Sequence, residues 1–308
     1  MAEFTRDTYT REEARQWWRA TTGECHYTKT LDSRINKKSY PKLRDDISEL
    51  VKEGLIESIG RRDGVYRLIQ DLPEPVDWQG VDASKDFPIV LPFDLRKYVW
   101  VDAGSTILLG GNKDSSKTGV IMRTVALNMN IVNTVFLTNM EGGLSQIKRR
   151  FDATDIEIPV PAPFKVIPMI DNFHDAIKES NTLYAIDYID VPDTGEYYMI
   201  PNAIARVQAK LLGLDSVAFI GLQKNTNSDI PYGGEGVLKK CSLYIALTRI
   251  SKTICRLKIV SFKKASQEMI ERNISPRNMV WEFTDKDEGT NFQVTKSPIE
   301  FIDTQDSF

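Results

Sequence analysis

The chain has 308 residues, 41% of them apolar and 27% charged, with a formal net charge of −3. That length suits one large domain with a smaller companion, and the apolar share supports a packed core, so long disorder is not expected. The near-neutral balance excludes a surface coated in basic charge, so any nucleic-acid contact must come from local clusters. Cys25, Cys241 and Cys255 show no paired spacing, which points to a reducing compartment. The only histidines are His26 and His174, and Cys25-His26 has no flanking ligands, so a zinc site is not expected. The start, Met1 to Asp7, is polar and acidic, unlike a secretory leader. No apolar run approaches the roughly 20 residues of a membrane helix. The expectation is a soluble, cytoplasmic protein with no membrane contact.

The first elements are small. Thr10-Arg11-Glu12-Glu13 reads as a capped helix start, with Ala14, Trp17 and Trp18 on an apolar side. A shorter helix is expected near Lys29 to Asn36. Tyr40 to Glu53 is the clearest helix: Leu43, Ile47, Leu50 and Val51 recur on one face, Pro41 suits the first turn and Gly54 the position after the end. Asp45, Asp46 and Glu49 fall on its outer face beside Lys42 and Arg44. Leu55 to Gly60 and Val65 to Ile69 alternate as strands around the tight turn Arg61-Arg62-Asp63-Gly64. This series of helices and a hairpin over residues 1–70 resembles a winged helix-turn-helix. The basic residues placed to meet duplex DNA are Lys37 and Lys38 (with Arg34) before the helix and Arg61 and Arg62 (with Arg67) on the wing. DNA contact and protein contact stay open as alternatives for this module, because the helix's acids suit DNA poorly.

Pro73 and Pro75 break the pattern, and residues 71–92 read as a linker and lead-in to a second domain spanning residues 93–295. In it the apolar run Thr106 to Leu109 precedes Gly110-Gly111-Asn112-Lys113-Asp114-Ser115-Ser116-Lys117-Thr118 and then a helical pattern from Val120 to Leu127. Strand, glycine turn, Lys-Thr and helix is the layout of a phosphate-binding P-loop. Its chemistry needs backbone N–H groups and a helix N-terminus facing a polyphosphate, a lysine to neutralise it and a hydroxyl to hold Mg²⁺. Gly111 through Thr118 form that candidate site. Ser116 stands where the second glycine belongs, and serine there either keeps the turn or impairs it.

Further strands are expected at Asn133 to Met140, Phe164 to Pro168, Leu183 to Asp190, Val217 to Gln223, Leu243 to Leu247 and Ile254 to Val260, with an edge strand at Val280 to Thr284. Helices are expected around Leu144, Ile147 and Phe151, from His174 to Ser180, and from Ile200 to Leu212. Lys148-Arg149-Arg150 reads as a solvated face, with a phosphate role as the alternative. Residues 296–308 read as a polar tail. Alternating strands and helices mean an α/β parallel sheet, whose ligands sit at the strands' C-terminal ends. Lys117, Glu141, Asp187 and Gln223 all fall at such ends. Asp187 closes an apolar run in the Walker B manner and would orient the Mg²⁺ shell.

This order of motifs resembles the RecA-like P-loop ATPases, nearest the DnaB-type replicative helicases and their relatives in phages and mobile elements. The resemblance rests on Gly111–Thr118, Phe136–Glu141, Tyr184–Asp187, Leu222-Gln223-Lys224-Asn225 and Gly233 to Lys240. It implies ATP and Mg²⁺ as cofactors, with Lys117 on the β/γ-phosphates and Thr118 and Asp187 at the metal. It implies Glu141 as the base that polarises water and Gln223 as a γ-phosphate sensor. It further implies a ring or filament of identical chains. The loops at Val191–Tyr198 and Lys224–Lys240 would then line a pore for single-stranded DNA through Lys224, Lys239 and Lys240, and Lys263 and Lys264 would act as a basic finger toward a neighbour. Tyr197 and Tyr198 would either stack on bases or pack the loop. Two functions follow as expectations. One is an oligomeric, DNA-binding, helicase- or translocase-like ATPase in replication or recombination. The other is a nucleotide-gated adaptor with weak or no hydrolysis, recruiting partners through the winged helix.

Overall fold

The computed structural model describes residues 10–19, 24–26, 40–59, 64–69, 78–80, 82–139, 142–190, 194–286 and 291–298. The chain divides into two compact units, Met1–Asp77 and Trp78–Phe308.

The first unit holds helix α1 (Arg11–Arg19), strand β1 (Glu24–His26), helix α2 (Tyr40–Lys52) and strands β2 (Ile56–Ser58) and β3 (Val65–Leu68). The strands form an antiparallel sheet in the order β1-β3-β2. Ala14 and Trp18 of α1, Ile47 and Leu50 of α2 and Ile56 of β2 are its buried core. Two features depart from the sequence pattern. Val51 is exposed although it falls on the apolar stripe. Asp46 is buried instead of facing outward, because Arg11 of the packed α1 donates to its carboxylate at 3.0 Å. Arg15 meets Glu53 at 2.6 Å, a second tie between the helices. The short helix expected near residues 29–36 and the basic residues Lys37, Lys38, Arg61 and Arg62 lie outside the described residues.

The second unit is mixed α/β and is built on one nine-stranded sheet. In chain order its elements are β4 (Thr106–Gly111), α3 (Lys117–Asn128), β5 (Asn133–Thr138), α4 (Gly143–Asp152), β6 (Lys165–Pro168), β7 (Thr182–Ile189), α5 (Ile200–Leu211) and β8 (Val217–Gln223). They continue with α6 (Glu235–Leu238), β9 (Leu243–Arg249), β10 (Ile254–Phe262), α7 (Gln267–Glu271), β11 (Val280–Lys286) and β12 (Asn291–Lys296). The spatial order is β12-β11-β10-β9-β4-β8-β7-β5-β6. Strands β9 through β6 are parallel, and β10, β11 and β12 extend the sheet antiparallel.

The apolar runs explain this sheet. A parallel strand covered on both faces needs apolar residues at every position, and alternate residues then enter different cores. Ile107 and Leu109 pack on one face and Leu108 on the other. Likewise Phe219 faces the first core while Ile220 and Leu222 face the second. Helix α3 covers the first face through Val120, Ile121 and Val125. Helix α5 covers the second through Ile200, Ile204, Val207 and Leu211, one residue per turn.

Residues 82–101 belong to this body. Phe87, Ile89, Leu91, Leu95, Val99 and Val101 are buried in the first core. Asn128 clamps them: its amide nitrogen donates to the Val90 and Thr124 carbonyls at 2.8 and 2.7 Å, and its oxygen accepts the Val90 N–H at 2.8 Å.

Two expectations fail here. The helix at His174 to Ser180 is only a 3-10 turn, Phe173–Ala176. The Tyr184 hydroxyl takes the Lys178 and Glu179 N–H groups at 3.1 and 2.8 Å, so tertiary contacts replace the helical ladder. The strand at Val280 to Thr284 is not an edge, since β12 pairs outside it. Residues 299–308 of the expected tail lie outside the described residues. No helix among the described residues is long and apolar enough to cross a membrane.

Replacing Asn128 with alanine would leave both Val90 backbone groups without their clamp. The expected loss is about 1–3 kcal/mol of stability, checked by urea unfolding of the full chain.

Candidate active site at the carboxyl ends of the parallel strands

The strand order brings three chain segments together. Strand β8 lies between β4 and β7, and Gly111 pairs with Gln223. Strand β7 lies between β8 and β5, and Asp187 pairs with Thr138. Residues 112–116 therefore leave β4 beside Gln223, with Asp187 one strand further on.

At this edge lies a cleft of about 730 Å³. Its floor is the loop Asn112 to Ser116 and the first residues of α3, Lys117, Thr118 and Gly119. Its walls are Gln146, Arg149 and Arg150 of α4, Tyr188 of β7, Gln223 of β8, Arg249 of β9 and Asp285 of β11. Five cations (Lys113, Lys117, Arg149, Arg150 and Arg249) face two acids, Asp114 and Asp285, among these residues. The helix N-terminus adds a partial positive charge, so the cleft favours an anion.

The loop is braced from within. The Ser115 hydroxyl donates to the Asn112 carbonyl at 2.8 Å and is buried. Asp114 and Ser116 have left-handed backbones, at φ 62° and φ 65°. The Ser116 hydroxyl does not cap α3. It donates instead to Asp285 Oδ2. Lys117 is buried with its ammonium 4.1 Å from the centre of the Tyr188 ring, a cation–π contact. Thr118 Oγ1 donates to Asp187 Oδ1 at 3.3 Å. One hydroxyl and one carboxylate side by side form a hard oxygen pair, and Mg²⁺ takes few protein ligands while keeping several waters. The donor set therefore fits a Mg²⁺–polyphosphate group. A smaller cavity of about 100 Å³ adjoins this pair, lined by Thr118, Thr138, Asn139, Gln146, Arg150 and Asp187 among others. Glu141 follows the end of β5 by three positions but lies outside the described residues.

No family model and no curated protein matches this chain. Solved structures do resemble it. The crystal structure of the RadB recombinase is 14% identical, covering 62% of this chain and 92% of its own, with a TM-score of 0.47. A solved ATPase domain is 12% identical over 63% of this chain and 86% of its own, with a TM-score of 0.46. A DnaB-like replicative helicase, solved for its interactions with primase, is 10% identical over 68% of this chain and 62% of its own, also at 0.46.

The other residues singled out from the sequence are not gathered at the cleft. Lys224 is buried, and its ammonium donates to the Asn225 and Ser228 carbonyls at 3.3 and 2.9 Å. Burial lowers its pKa, with Asp229 pulling the other way. Lys240 lies at the opposite edge, where its carbonyl accepts from Thr106 at the start of β4. Lys239 precedes it and is exposed. The separation follows from the parallel pairing of β4 with both β8 and β9: the chain must cross back to the amino ends before β9 begins. Lys263 and Lys264 are at that far edge too, because β10 runs antiparallel to β9. The Lys263 N–H donates to the Ser242 carbonyl, and the Lys264 ammonium lies 3.9 Å from the centre of the Trp100 ring. Tyr197 stacks on Tyr232 with centroids 4.2 Å apart, which packs one loop against the other. Gly233 permits that approach, since a Cβ there would meet Pro201 at 3.1 Å and the Tyr197 carbonyl oxygen at 3.2 Å. Tyr198 is exposed.

Arg249, Gln146, Tyr188 and Asp285 line the cleft although no sequence motif marks them. Arg249 closes a strand in a basic residue, which was a usable signal, but Asp285 needs the antiparallel extension to reach the loop. Arg149 and Arg150, read as a solvated face, line the cleft. Arg249 donates from one guanidinium nitrogen to the Asp114 carbonyl at 2.7 Å and from others to Ser251 and Lys252. Removing it in R249A is expected to weaken nucleotide affinity about tenfold. Because lysine lacks the planar fork, R249K is expected to recover only part of that loss. Titration with a fluorescent ATP analogue checks both.

Proposed function

We propose that this chain is a Mg²⁺-dependent nucleoside triphosphatase of the RecA-like kind that acts on DNA. The observation that carries the reading is the Thr118–Asp187 pair at 3.3 Å beside the buried Lys117. These groups come from the start of α3 after the loop and from β7, the two places the chemistry requires. A bound Mg²⁺–nucleotide would supply the phosphoryl group and its charge-neutralising metal. Around it, Lys117 and the start of α3 hold phosphate oxygens, and Thr118 and Asp187 orient the metal's shell. Gln223 reads the terminal phosphate from the strand between them. Glu141, just past β5, is proposed as the base that orients the attacking water. The arginines of α4 and β9 supply further positive charge where it develops.

DNA and an assembly of identical chains enter this reading through the motif order, which resembles that of DnaB-type helicases. Lys239 and Tyr198, exposed in these two loops, are proposed to meet a strand. A finger role for Lys263 and Lys264 requires a neighbouring copy. The residues Lys37, Lys38, Arg61 and Arg62 of the first unit are proposed for duplex contact through a winged helix.

A second reading, a nucleotide-gated adaptor with slow turnover, is favoured by one observation. Ser116 replaces a glycine, and the carboxylate of Asp285 sits against it in a cleft built for phosphate. Steady-state ATP hydrolysis with and without single-stranded DNA separates the two. The expected result is DNA-stimulated turnover within the roughly 1–10³ s⁻¹ range of ordinary enzymes, falling at least about a hundredfold in K117A. Nucleotide binding without turnover selects the adaptor reading. No binding and no hydrolysis discards both.

A further inference from the structure

We propose that Asp285 is a positioning residue of the phosphate-binding loop, holding Ser116 in the left-handed backbone state that glycine adopts unaided. The inference rests on the nucleotide reading above and concerns how this chain keeps its loop in shape without the second glycine.

Ser116 occupies the glycine position and has φ 65° and ψ 22°. An L-residue in this region is disfavoured by about an order of magnitude in population relative to right-handed states. Something must offset that bias, and the ordinary source is missing, since the Ser116 side chain makes no capping bond to α3. Its hydroxyl is turned toward the antiparallel strands, where it donates to Asp285 Oδ2 and lies 3.5 Å from Cys255 Sγ. A hydroxyl donating to a carboxylate is a charge-assisted bond, among the stronger ones available to serine.

The acceptor is fixed by its own strand. Asp285 pairs with Phe292 across β11 and β12, and its N–H donates to the Thr253 carbonyl at 3.2 Å. Its other oxygen, Oδ1, is buried with no hydrogen-bond partner among the described residues, so no competing donor draws the carboxylate away. Cys255 is fully buried, and burial pushes its thiol up against the smaller opposing pull of the Ser116 bond. It therefore stays neutral and adds no second negative charge beside the loop. The carboxylate itself would repel a phosphate if it projected toward one. Its bond to Ser116 engages one oxygen of that charge at the cleft wall.

The test is a double-mutant comparison on the full chain, read as the dissociation constant for Mg²⁺–ADP. In the natural background, D285A is expected to weaken binding about tenfold, equivalent to about 1.4 kcal/mol. S116G alone is measured as the reference for its own background, since glycine adopts the same left-handed state without a side-chain bond. In the S116G background, D285A is expected to change binding less than about twofold, because glycine needs no carboxylate to stay left-handed. D285N keeps the volume of the side chain and serves if D285A does not fold. It should weaken binding about threefold in the natural background, where a neutral acceptor replaces a charged one, and not in the S116G background. Equal weakening in both backgrounds, or tighter binding in the natural background, overturns the positioning role while leaving the nucleotide site standing. Failure of the natural chain to bind Mg²⁺–ADP, with K117A no different from it, overturns the nucleotide reading and this inference with it.

Discussion

Everything at the candidate site depends on six parallel strands, all but the edge strand β6 buried over most of their length. Such strands cannot place a polar side chain mid-length without burying it, so polar groups collect where the strands end. Parallel pairing then aligns those ends along one edge. Gly111, Gln223, Asp187 and Thr138 come from four strands and meet there by register, although they are far apart in sequence. The same pairing sends each connection back across the sheet. That is why the lysines at the two ends of one glycine-rich loop, Lys224 and Lys240, belong to opposite edges.

The antiparallel extension has a separate role. Two reversals of direction return β11 to the orientation of β9, so its carboxyl end points to the same edge as the loop Asn112 to Ser116. Asp285 reaches Ser116 by that route. The single reversal at β10 has the opposite result and carries Lys263 and Lys264 away. Whether Asp285 or the Lys263–Lys264 pair reaches the cleft thus follows from how many times the chain turns after β9.

Packing around the cleft links stability to chemistry. Helix α3 presents Lys117 and Thr118 at its start and buries Val120, Ile121 and Val125 against the first core. Asn128 at its end holds the lead-in segment. The helix that would orient phosphate is therefore clamped along its full length, and a polar clamp at one end supports geometry at the other.

Much of this was legible from residue order. The apolar runs identified nearly every strand of the large sheet, because a strand buried on both faces needs an unbroken apolar stretch. Gly111 to Thr118 and the acid in the apolar run at Asp187 have the residue types that backbone approach and charge neutralisation demand, and the fold brings Thr118 and Asp187 within 3.3 Å. What the order of residues could not decide was adjacency. Strand β8 lies between β4 and β7, Lys224 turns inward to its own loop's carbonyls, and Tyr184 captures two N–H groups and prevents a helix after Ala176. Arg249 and Asp285 join the loop across 135 and 169 residues of chain. Local periodicity reports which face of an element is buried. Which elements become neighbours depends on the sum of many distant contacts, and only the folded chain expresses that sum.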